Sequence, residues 1–417
     1  MRESINFCIP TCRFCGNRLE QNFVDLGMSP LANSYLTAEQ LHHMEPFFPL
    51  RVYVCGACLL VQAEDFETPE AIFHDYAYFA SYSDTWLQHA KTYAEMAIKR
   101  FSLGKSSQII ELASNDGYLL QYFVQRGIRV LGIEPAANVA EHALRNNIPT
   151  IVKFFGTATA SDLVNQGIKA DLLVGNNVLA HVPKLNDFVE GMKIVLKPHG
   201  VITMEFPHLM RLMLENQFDT IYHEHFSYFS LISVEKVFTA HGLTLFDVEE
   251  LSTHGGSLRI FARHVEDVSR SVTQRVIDLR SGEQQLGLGS LSYYRSFSDK
   301  VALTKYKLLE FLIRAKSGGK TIVGYGAPAK GNTLLNYCGI RGDFLSYTVD
   351  RSPHKQGQFL PGTLIPIHHP DKIRETKPDY LLILPWNLRA EVMEQMQHIR
   401  TWGGQFVIPI PEVEVFP

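Results

Sequence analysis

Apolar residues in the middle of the chain alternate between short continuous runs and helical spacing. Residues 109–113 and 128–133 are two apolar runs, and residues 118–126 between them carry apolar side chains at helical spacing. This pattern predicts a β-α-β unit with two buried parallel strands. Polar residues at 114–117 form the turn into the helix, where a ligand can approach the backbone closely.

Strand and helix patterns continue on both sides of a polar, helical stretch at 269–316. The expected helices lie at about 84–100 and at 138–146, and the expected strands at 148–152, 200–207, 345–350, 381–385 and 406–409. A strand running into a turn is expected at 171–181, and a strand–turn–helix at 320–333. Such an alternation is typical of an α/β protein with parallel sheets.

The acid at the end of the second strand, Glu134, is placed to accept the hydroxyl groups of a ribose. A dinucleotide fingerprint would need glycine at three turn positions, which here are Ala113, Asn115 and Gly117. Because Glu111 adds negative charge beside the turn, a pyrophosphate would be repelled, whereas a sulfonium cation would not. The turn therefore favours S-adenosylmethionine over NAD, with a ligand-free α/β turn as the alternative.

Polar side chains also follow other predicted strands of this sheet. Asn176 and Asn177 follow one strand, and Glu205 lies at the end of the next. Ligands of open parallel sheets bind outside the carboxyl ends of the strands, so these residues are expected at one cleft. His181, one helical turn past Asn177, is either a further cleft residue or a structural histidine.

Two CxxC pairs, Cys12 with Cys15 and Cys55 with Cys58, offer four thiolates at the spacing of zinc knuckles. The gap between the pairs is longer than in the usual zinc ribbon, so the segment 23–51 is expected to loop out. Free or redox-active thiols are the alternative. A nucleic-acid ribbon is disfavoured because the surroundings of the pairs are acidic.

Composition and charge narrow the class of protein. A length of 417 residues predicts two or three domains, and 46% hydrophobic with 20% charged residues is ordinary for a globular protein. The net charge of -4 provides no basic field for nucleic acid. The chain shows neither an apolar run long enough to span a membrane nor an apolar signal segment at its start. We therefore expect a cytoplasmic protein without a membrane or nucleic-acid partner.

Residues 218–229 hold the densest group of polar and aromatic side chains in the chain. Tyr222, His223, Glu224 and His225 follow one another there. The two histidines lack the HExxH spacing of zinc proteases, which disfavours a metal site. A buried structural network is one alternative, and the more specific hypothesis is acid–base catalysis by an imidazole in an apolar pocket.

Two further segments are candidates for ligand contact. The aromatic segment 73–82 contains Tyr76 and Tyr82, which either pack in the core or form a lid. His254 and Ser257 flank a pair of glycines, a flexible turn that can bring backbone or a hydroxyl group near a ligand.

A second glycine-rich turn, at 324–331, follows a predicted strand and contains Lys330. Backbone N–H groups and a cation converge there, an arrangement that suits a phosphate. Taken alone, the turn is a weak dinucleotide site, and a purely structural remnant of one is the alternative.

Together these motifs resemble the S-adenosylmethionine-dependent C-methyltransferases that act on nucleotide-linked 4-keto deoxyhexoses, especially the sugar C-3 methyltransferases of antibiotic sugar pathways. The resemblance covers nearly the whole chain and is carried by the two CxxC pairs and by segments 30–33, 111–117, 176–181, 222–226, 254–257 and 324–331. It implies a zinc-binding domain at 1–74, a Rossmann-like methyltransferase domain at 75–268, and a helical connector with a C-terminal Rossmann-like domain at 269–417.

The same resemblance implies a mechanism. A base removes the proton next to the ketone, and the enolate carbon attacks the sulfonium methyl group, leaving S-adenosylhomocysteine. In the family the base is the second histidine of the Tyr-His-Glu-His run, here His225. Tyr222 would hydrogen-bond the sugar or the oxyanion, Glu224 would hold His225 or a sugar amino group, and His181 and Tyr76 would line the cleft.

Ligand contacts are implied as well. The methyl donor would be surrounded by Glu111, Ala113, Asn115, Gly117, Glu134 and Asn177. Substrate contacts would come from Tyr82, His254, Ser257 and Lys330, the last beside the nucleotide diphosphate. The expected nucleotide is dTDP, with GDP as the alternative. A C-5 sugar methyltransferase and a non-methylating NAD-dependent sugar-nucleotide enzyme are the competing functions, and the oligomeric state is left open.

Overall fold

The computed structural model describes residues 10–68 and 79–417, and these residues form two compact units. Unit 1 consists of the described residues of Met1–Glu20 and Cys55–His208 together with Phe226–Ser290. Unit 2 consists of Gln21–Val54, Leu209–His225 and Leu291–Pro417. The chain therefore passes between the units several times, once directly after His225.

In chain order the described strands are β1 (Gln21–Ser29), β2 (Phe48–Val54), β3 (Val61–Ala63), β4 (Gln108–Leu112), β5 (Arg129–Ile133), β6 (Thr150–Ile151), β7 (Ala170–Asn176), β8 (Leu196–Pro207), β9 (Ser227–Tyr228), β10 (Leu243–Leu251), β11 (Ser257–His264), β12 (Ile322–Tyr325), β13 (Thr348–Val349), β14 (Ile367–His368), β15 (Tyr380–Ile383), β16 (Gln405–Ile408) and β17 (Glu414–Phe416). The described α-helices are α1 (Asp84–Arg100), α2 (Leu120–Val124), α3 (Ala137–Arg145), α4 (Thr157–Asn165), α5 (Leu185–Val195), α6 (Leu209–Leu214), α7 (Leu231–Ala240), α8 (Gln274–Leu286), α9 (Leu291–Arg295), α10 (Phe297–Ser317), α11 (Ala329–Cys338), α12 (Lys372–Thr376) and α13 (Arg389–Gln395).

Unit 1 is built on a seven-stranded sheet in the order β10-β11-β8-β7-β4-β5-β6. The strands from β8 to β6 pair in parallel, and β11 pairs antiparallel with both β8 and β10. The chain order reverses at β4, so the carboxyl ends of β4, β5 and β7 frame the switch point at which such sheets bind ligands. The predicted Rossmann-like α/β fold is confirmed.

The predicted β-α-β unit corresponds to β4, α2 and β5, with shifted ends. β4 ends at Leu112 because the next residue, Ala113, has a φ of 54° and turns the chain out of the strand. Helix α2 is shorter than predicted and has turns on both sides. The spacing of apolar residues shows where such elements lie. Their ends depend on hydrogen bonds and backbone angles, which this spacing does not reveal.

Helix α1 begins and ends where the sequence pattern places it. Ser83 caps the helix, and its side chain accepts a hydrogen bond from the Trp86 N–H. The buried face carries Tyr93 and three alanines, and it packs in one cluster with Ile109 and Phe261 of the sheet. Small side chains on this face let the helix lie close to the strands.

Unit 2 contains a six-stranded sheet in the order β14-β13-β12-β15-β16-β17. β14, β13, β12, β15 and β16 pair in parallel, and β17 pairs antiparallel with β16. The strand predicted at 345–350 is only Thr348–Val349. Residues 345–347 are irregular and follow a turn at 342–344, across which the Leu345 N–H donates to the Arg341 carbonyl at 3.0 Å.

The segment predicted to loop out between the cysteine pairs is the hairpin of β1 and β2, which pair antiparallel in unit 2. Phe23 of β1 is fully buried and stacks on Phe297 of α10, with ring centroids 4.5 Å apart. The insert is therefore a packed element of unit 2.

None of the helices in the described part of the chain combines the length and the apolar character needed to cross a membrane.

Gly132 of β5 is expected to tolerate no side chain. A Cβ at this position would lie 2.3 Å from Ser114 Oγ, whereas one at Gly104 would meet nothing within 4 Å. We expect Gly132→Ala to lower the free energy of unfolding by about 1–3 kcal/mol, because Ser114 and its turn would have to move. Gly104→Ala is the matched control, and denaturant unfolding is the measurement. Equal stability of the two variants would contradict this packing.

Candidate active site

The four predicted cysteine ligands lie together in unit 1. The Sγ atoms of Cys12, Cys15, Cys55 and Cys58 are all within 4.8 Å of one another, and the Cys12–Cys58 and Cys15–Cys55 distances are 3.5 Å. Four thiolates at Zn–S bonds of about 2.3 Å place their sulfurs roughly 3.8 Å apart, so the cluster fits a tetrahedral zinc ion. Gln62 Nε2 donates to Cys12 Sγ at 3.2 Å, a contact of the kind that orients a metal ligand.

Both knuckles turn through a residue with positive φ. The Gly16 N–H donates to the Cys12 carbonyl at 2.9 Å, and the Leu59 N–H donates to the Cys55 carbonyl at 3.0 Å. The φ angles of Gly16 and Leu59 are 72° and 67°. For Leu59 this conformation costs about 1–2 kcal/mol, which zinc binding offsets.

Arg13, inside the first knuckle, connects the zinc site to other parts of unit 1. Its Nη2 donates to the Ala63 carbonyl at 2.6 Å and to Asp65 at 2.8 Å, and its guanidinium lies 5.4 Å from the Phe226 ring centroid. The Phe226 N–H donates to the Ala180 carbonyl at 2.8 Å. Arg13 therefore packs against the residue that follows the candidate base in sequence.

The predicted ligand turn after β4 is shaped by positive φ angles. Ala113, Asn115 and Gly117 have φ values of 54°, 49° and 82°. A Cβ on Gly117 would lie 2.3 Å from Ile148 Cδ1, which explains the glycine. Glu134 holds the turn, since its Oε2 accepts from the Asn115 N–H at 2.8 Å. Two non-glycine residues in this conformation store strain, a feature that clusters at ligand sites.

Two buried carboxyl groups accompany this turn. Glu134 Oε1 accepts a second hydrogen bond, from the Ala136 N–H at 2.8 Å, and burial raises the pKa of Glu134 to about 7. Burial also raises the pKa of Glu111 well above its ordinary value, while Tyr118 lowers it in part. Apart from this effect of Tyr118, neither Glu111 oxygen has a hydrogen-bond donor among the described residues. A buried acceptor of this kind fits a ligand that brings its own donors, as S-adenosylmethionine does.

The segment before α1 is bonded to the same turn. The Ala80 N–H donates to Asn115 Oδ1 at 2.9 Å, and the Ser81 N–H donates to Asp116 Oδ2 at 3.0 Å. Asp116 is buried, so water does not compete freely for its bond. The segment is therefore fixed to the turn through its backbone.

Asn177 and His254 meet beside an aromatic cluster. Asn177 Nδ2 donates to His254 Nε2 at 3.0 Å, and the two residues have positive φ angles of 54° and 55°. The Trp86 ring centroid lies 5.1 Å from that of His254 and 5.9 Å from that of Tyr118. A residue predicted to bind the methyl donor and one predicted to bind the substrate are thus in direct contact.

Glu205 lies at the centre of a buried ionic cluster. Its carboxylate accepts hydrogen bonds from His89 at 2.9 Å, Arg259 at 2.7 Å and Thr253 Oγ1 at 3.0 Å. Burial raises the pKa of Glu205, but His89 and Arg259 outweigh it and lower the pKa to about 2. The sequence placed Glu205 at a strand end and missed its partners, which come from distant elements.

The other predicted residues of unit 1 occupy different environments. Tyr82 is 68% exposed and so does not pack in the core. Ser257 is buried, and its hydroxyl donates to the Thr253 carbonyl at 3.0 Å. His181 ends a short 3-10 turn and is half-buried. Tyr76 lies outside the described residues.

In unit 2, a backbone carbonyl orients the candidate base. His225 is buried, and its Nδ1 lies 2.8 Å from the Thr220 carbonyl oxygen. Because a carbonyl only accepts, Nδ1 carries the hydrogen and Nε2 is the basic nitrogen of the neutral ring. The ring centroids of Tyr222 and His225 are 4.0 Å apart. The neighbouring His223 instead contacts the Pro49 carbonyl through Nε2, at 3.2 Å.

Glu224 is oriented by Asn33, to which the sequence assigned no role. Asn33 Nδ2 lies 2.8 and 2.9 Å from the two carboxylate oxygens. Burial raises the pKa of Glu224 to about 7, against this hydrogen bond. The two residues are 191 positions apart. The motif at 30–33 was the only sequence signal for Asn33.

Lys330 lies in the first turn of α11 and has partners within unit 2. Its Nζ donates to Asn387 Oδ1 at 2.9 Å and lies 4.6 Å from the Trp386 ring centroid. Burial lowers the pKa of Lys330. One N–H of the ammonium group is thus used, and its other N–H groups suit an anionic ligand.

Three family models match the chain. They are described as a zinc binding domain at residues 12–73, a methyltransferase domain at residues 86–248 and a C-methyltransferase C-terminal domain at residues 252–411. Together with the sheet order and the thiolate cluster, these matches define an S-adenosylmethionine-dependent methyltransferase with a structural zinc site.

The chain belongs to the S-adenosylmethionine-dependent sugar C-methyltransferase family that its motifs resemble. It is 35% identical to C-methyltransferase NovU of Streptomyces niveus over 407 residues, which cover 98% of this chain and 97% of the relative. The ubiquinone biosynthesis O-methyltransferase of Bartonella tribocorum is 30% identical over 99 residues, 23% of this chain and 39% of that protein. The solved magnesium protoporphyrin IX methyltransferase of Synechocystis overlaps 46% of this chain and 91% of its own, at 14% identity and a TM-score of 0.35.

We expect the purified protein to contain equimolar zinc and Cys58→Ala to lose it. Structural zinc contributes on the order of 10 kcal/mol to the folding of small sites, so this variant should also unfold at a lower temperature. Metal analysis and thermal unfolding measure the two effects. Cys338→Ala removes a buried thiol outside the cluster and should keep its zinc. Full zinc content in Cys58→Ala would contradict the site.

The affinity for S-adenosylhomocysteine should depend on pH through Glu134. The ionised carboxylate accepts ribose hydroxyl groups better than the protonated form, and its pKa is raised to about 7. The dissociation constant should therefore rise by up to about tenfold per unit as the pH falls below 7, and level off above it. Titration calorimetry at pH values below and above this pKa measures the dissociation constant. Glu134→Gln should bind weakly at every pH, and an unchanged slope in this variant would rule out Glu134 as the titrating group.

Proposed function

We propose that this enzyme methylates a nucleotide-linked 4-keto deoxyhexose at C-3′, the carbon next to the ketone, in deoxysugar biosynthesis. The observation that carries the proposal is the hydrogen bond between His225 Nδ1 and the Thr220 carbonyl, because a neutral imidazole held in this way has its basic nitrogen at Nε2. A hydrogen on carbon beside a ketone is weakly acidic, and its removal needs such a positioned base.

Proton removal moves negative charge onto the ketone oxygen. Tyr222, next to the His225 ring, is the proposed hydrogen-bond donor to that oxygen. One such donor is worth about 3 kcal/mol in the transition state. Glu224, oriented by Asn33, is proposed to hold His225 or an amino group of the sugar. His181 and Tyr76 are proposed to line the same cleft.

S-adenosylmethionine supplies the electrophilic methyl group that the enolate carbon attacks. Glu134 is proposed to accept its ribose hydroxyl groups, and Glu111 to accept hydrogen bonds from its polar groups. The positive φ angles of the turn let the ligand approach the backbone. The proposed contacts are completed by Ala113, Asn115, Gly117 and Asn177.

The substrate is proposed to be a sugar nucleotide with dTDP as the nucleotide, GDP being the alternative. Lys330 suits the diphosphate because its ammonium group has N–H donors beyond the one bound by Asn387. Tyr82, His254 and Ser257 are the other proposed contacts. C-5′ adjoins the same ketone as C-3′, so the position of the new methyl group is an outcome of the test.

The three sequence regions are proposed to divide these tasks. Residues 1–74 would hold the zinc ion, residues 75–268 would bind the methyl donor, and residues 269–417 would complete the substrate side. A cytoplasmic location is part of the proposal, because reducing compartments keep cysteine thiols available to zinc.

The first step can be measured without the methyl donor. In deuterated water, the enzyme should exchange the hydrogen next to the ketone of a 4-keto sugar nucleotide. His225→Asn keeps a donor for the Thr220 carbonyl but removes the base, and we expect the exchange rate to fall about 10²–10⁴-fold. Proton NMR follows the exchange and shows which carbon is involved.

His223→Asn is the matched control, because His223 contacts the Pro49 carbonyl and has no proposed role in the reaction. It should retain exchange when the rate is expressed per S-adenosylhomocysteine-binding site. Mass spectrometry and NMR of the product formed with S-adenosylmethionine then identify the methylated carbon. Undiminished exchange in His225→Asn, or no exchange by the unmodified enzyme across dTDP- and GDP-linked 4-keto sugars, would refute the proposal.

A further inference from the structure

The turn that orients His225 is itself held by a buried carboxylate. The 3-10 turn Phe218–Thr220 provides the carbonyl that accepts from His225 Nδ1. Asp219, in the middle of this turn, is fully buried, and its Oδ2 accepts from Trp386 Nε1 at 2.7 Å. Its Oδ1 has no hydrogen-bond partner among the described residues. The indole N–H is thus the side-chain hydrogen-bond donor to Asp219, next to the attraction of the Lys330 ammonium group and the backbone N–H groups of the turn itself.

Trp386 is placed by the glycine-rich turn of the C-terminal sheet. A Cβ on Gly326 would lie 2.5 Å from Pro385 Cδ, and a Cβ on Gly331 would lie 3.0 Å from Leu384 Cβ. Gly326 and Gly331 thus make room for the residues that lead into Trp386.

Polar groups of the same region are also used within the protein. Thr333 of α11 donates through Oγ1 to the Ile221 carbonyl at 2.9 Å, directly after the Phe218–Thr220 turn. Asp350, at the strand end where a dinucleotide-binding sheet presents an acid to ribose, instead accepts from the Ala327 N–H at 2.7 Å. Asp350 therefore binds the glycine-rich turn itself, and the helix that follows the turn binds the Ile221 carbonyl through Thr333.

We propose that this C-terminal Rossmann-like sheet positions the base, with Trp386 as a positioning residue that fixes His225 through Asp219 and the Thr220 carbonyl. The inference rests on the proposed role of His225. It assigns the glycines at 326 and 331 to packing against the Trp386 segment and not to a dinucleotide.

Trp386→Phe tests the proposal, because it removes the indole N–H and keeps an aromatic ring. Deuterium exchange next to the ketone should slow by about 10- to 100-fold per S-adenosylhomocysteine-binding site, since a misplaced base loses much of its efficiency. The affinity for S-adenosylhomocysteine should stay unchanged. The KM for the sugar nucleotide should change much less than the exchange rate, because the phenylalanine keeps an aromatic ring beside the Lys330 ammonium group.

Trp402→Phe is the matched control. Trp402 Nε1 donates to the Pro378 carbonyl at 3.0 Å, so this variant loses the same kind of hydrogen bond in the same unit. Its exchange rate should stay normal. Asp219→Asn keeps an oxygen acceptor for the indole and should retain most of the rate, whereas Asp219→Leu should resemble Trp386→Phe.

Two outcomes would make Trp386 an ordinary packing residue and overturn the inference. In one, the exchange rate falls equally in the two tryptophan variants; in the other, it falls only in proportion to the loss of S-adenosylhomocysteine-binding sites. The proposed function is decided separately by His225→Asn. If that variant loses exchange while Trp386→Phe keeps it, the base assignment stands and only the positioning role is wrong.

Discussion

Burial of carboxyl groups beside turns is the constraint on which the chemistry of this molecule depends. Burial raises the pKa of Glu134 to about 7, of Glu224 to about 7 and of Asp219 to about 6. For each group the folded protein holds its proton more tightly than the unfolded chain does. Its contribution to stability is therefore present below the ordinary carboxyl pKa and is lost as the pH rises through the raised value. Near neutral pH, keeping these carboxyl groups buried lowers the free energy of unfolding, and burial of the apolar core offsets this loss.

Glu205 shows that burial alone does not produce this state. It is as deeply buried, but His89 and Arg259 surround it and bring its pKa to about 2. An acid with protein cations as partners is fixed in its charge and serves the structure. Within residues 10–68 and 79–417, the hydrogen-bond donors to Glu134 and Glu224 are uncharged N–H groups, from Asn115 and Ala136 and from Asn33. Their protonation can therefore respond to a ligand.

The sequence predicted what local periodicity and topology determine. Helix α1 and strands β4, β5 and β7 follow from the spacing of apolar residues, and the acids at strand ends follow from the rule that parallel sheets bind ligands there. The role assigned to His225 came from a motif, and the carbonyl that fixes its tautomer became visible only in the structure.

The sequence did not predict hydrogen bonds between residues that are far apart along the chain, and the reason is physical. Asn33 and Glu224 are 191 residues apart, and Asp219 and Trp386 are 167 residues apart. Neither pair leaves a periodic trace, because each consists of single polar residues on separate elements. The left-handed conformation of Ala113 is likewise set by bonds around the turn, since alanine itself does not favour it.

The order of synthesis gives the β1–β2 hairpin an unusual history. The ribosome makes Gln21–Val54 early, yet the sheet of the same unit comes from Leu291–Pro417, and Phe23 acquires its stacking partner Phe297 only after most of the chain has emerged. Until then the nascent hairpin has an uncovered apolar side and unpaired edges, which chaperones bind and which aggregate. The hairpin therefore waits longer for its packing partner than any other strand of this unit's sheets, and slower synthesis lengthens that wait.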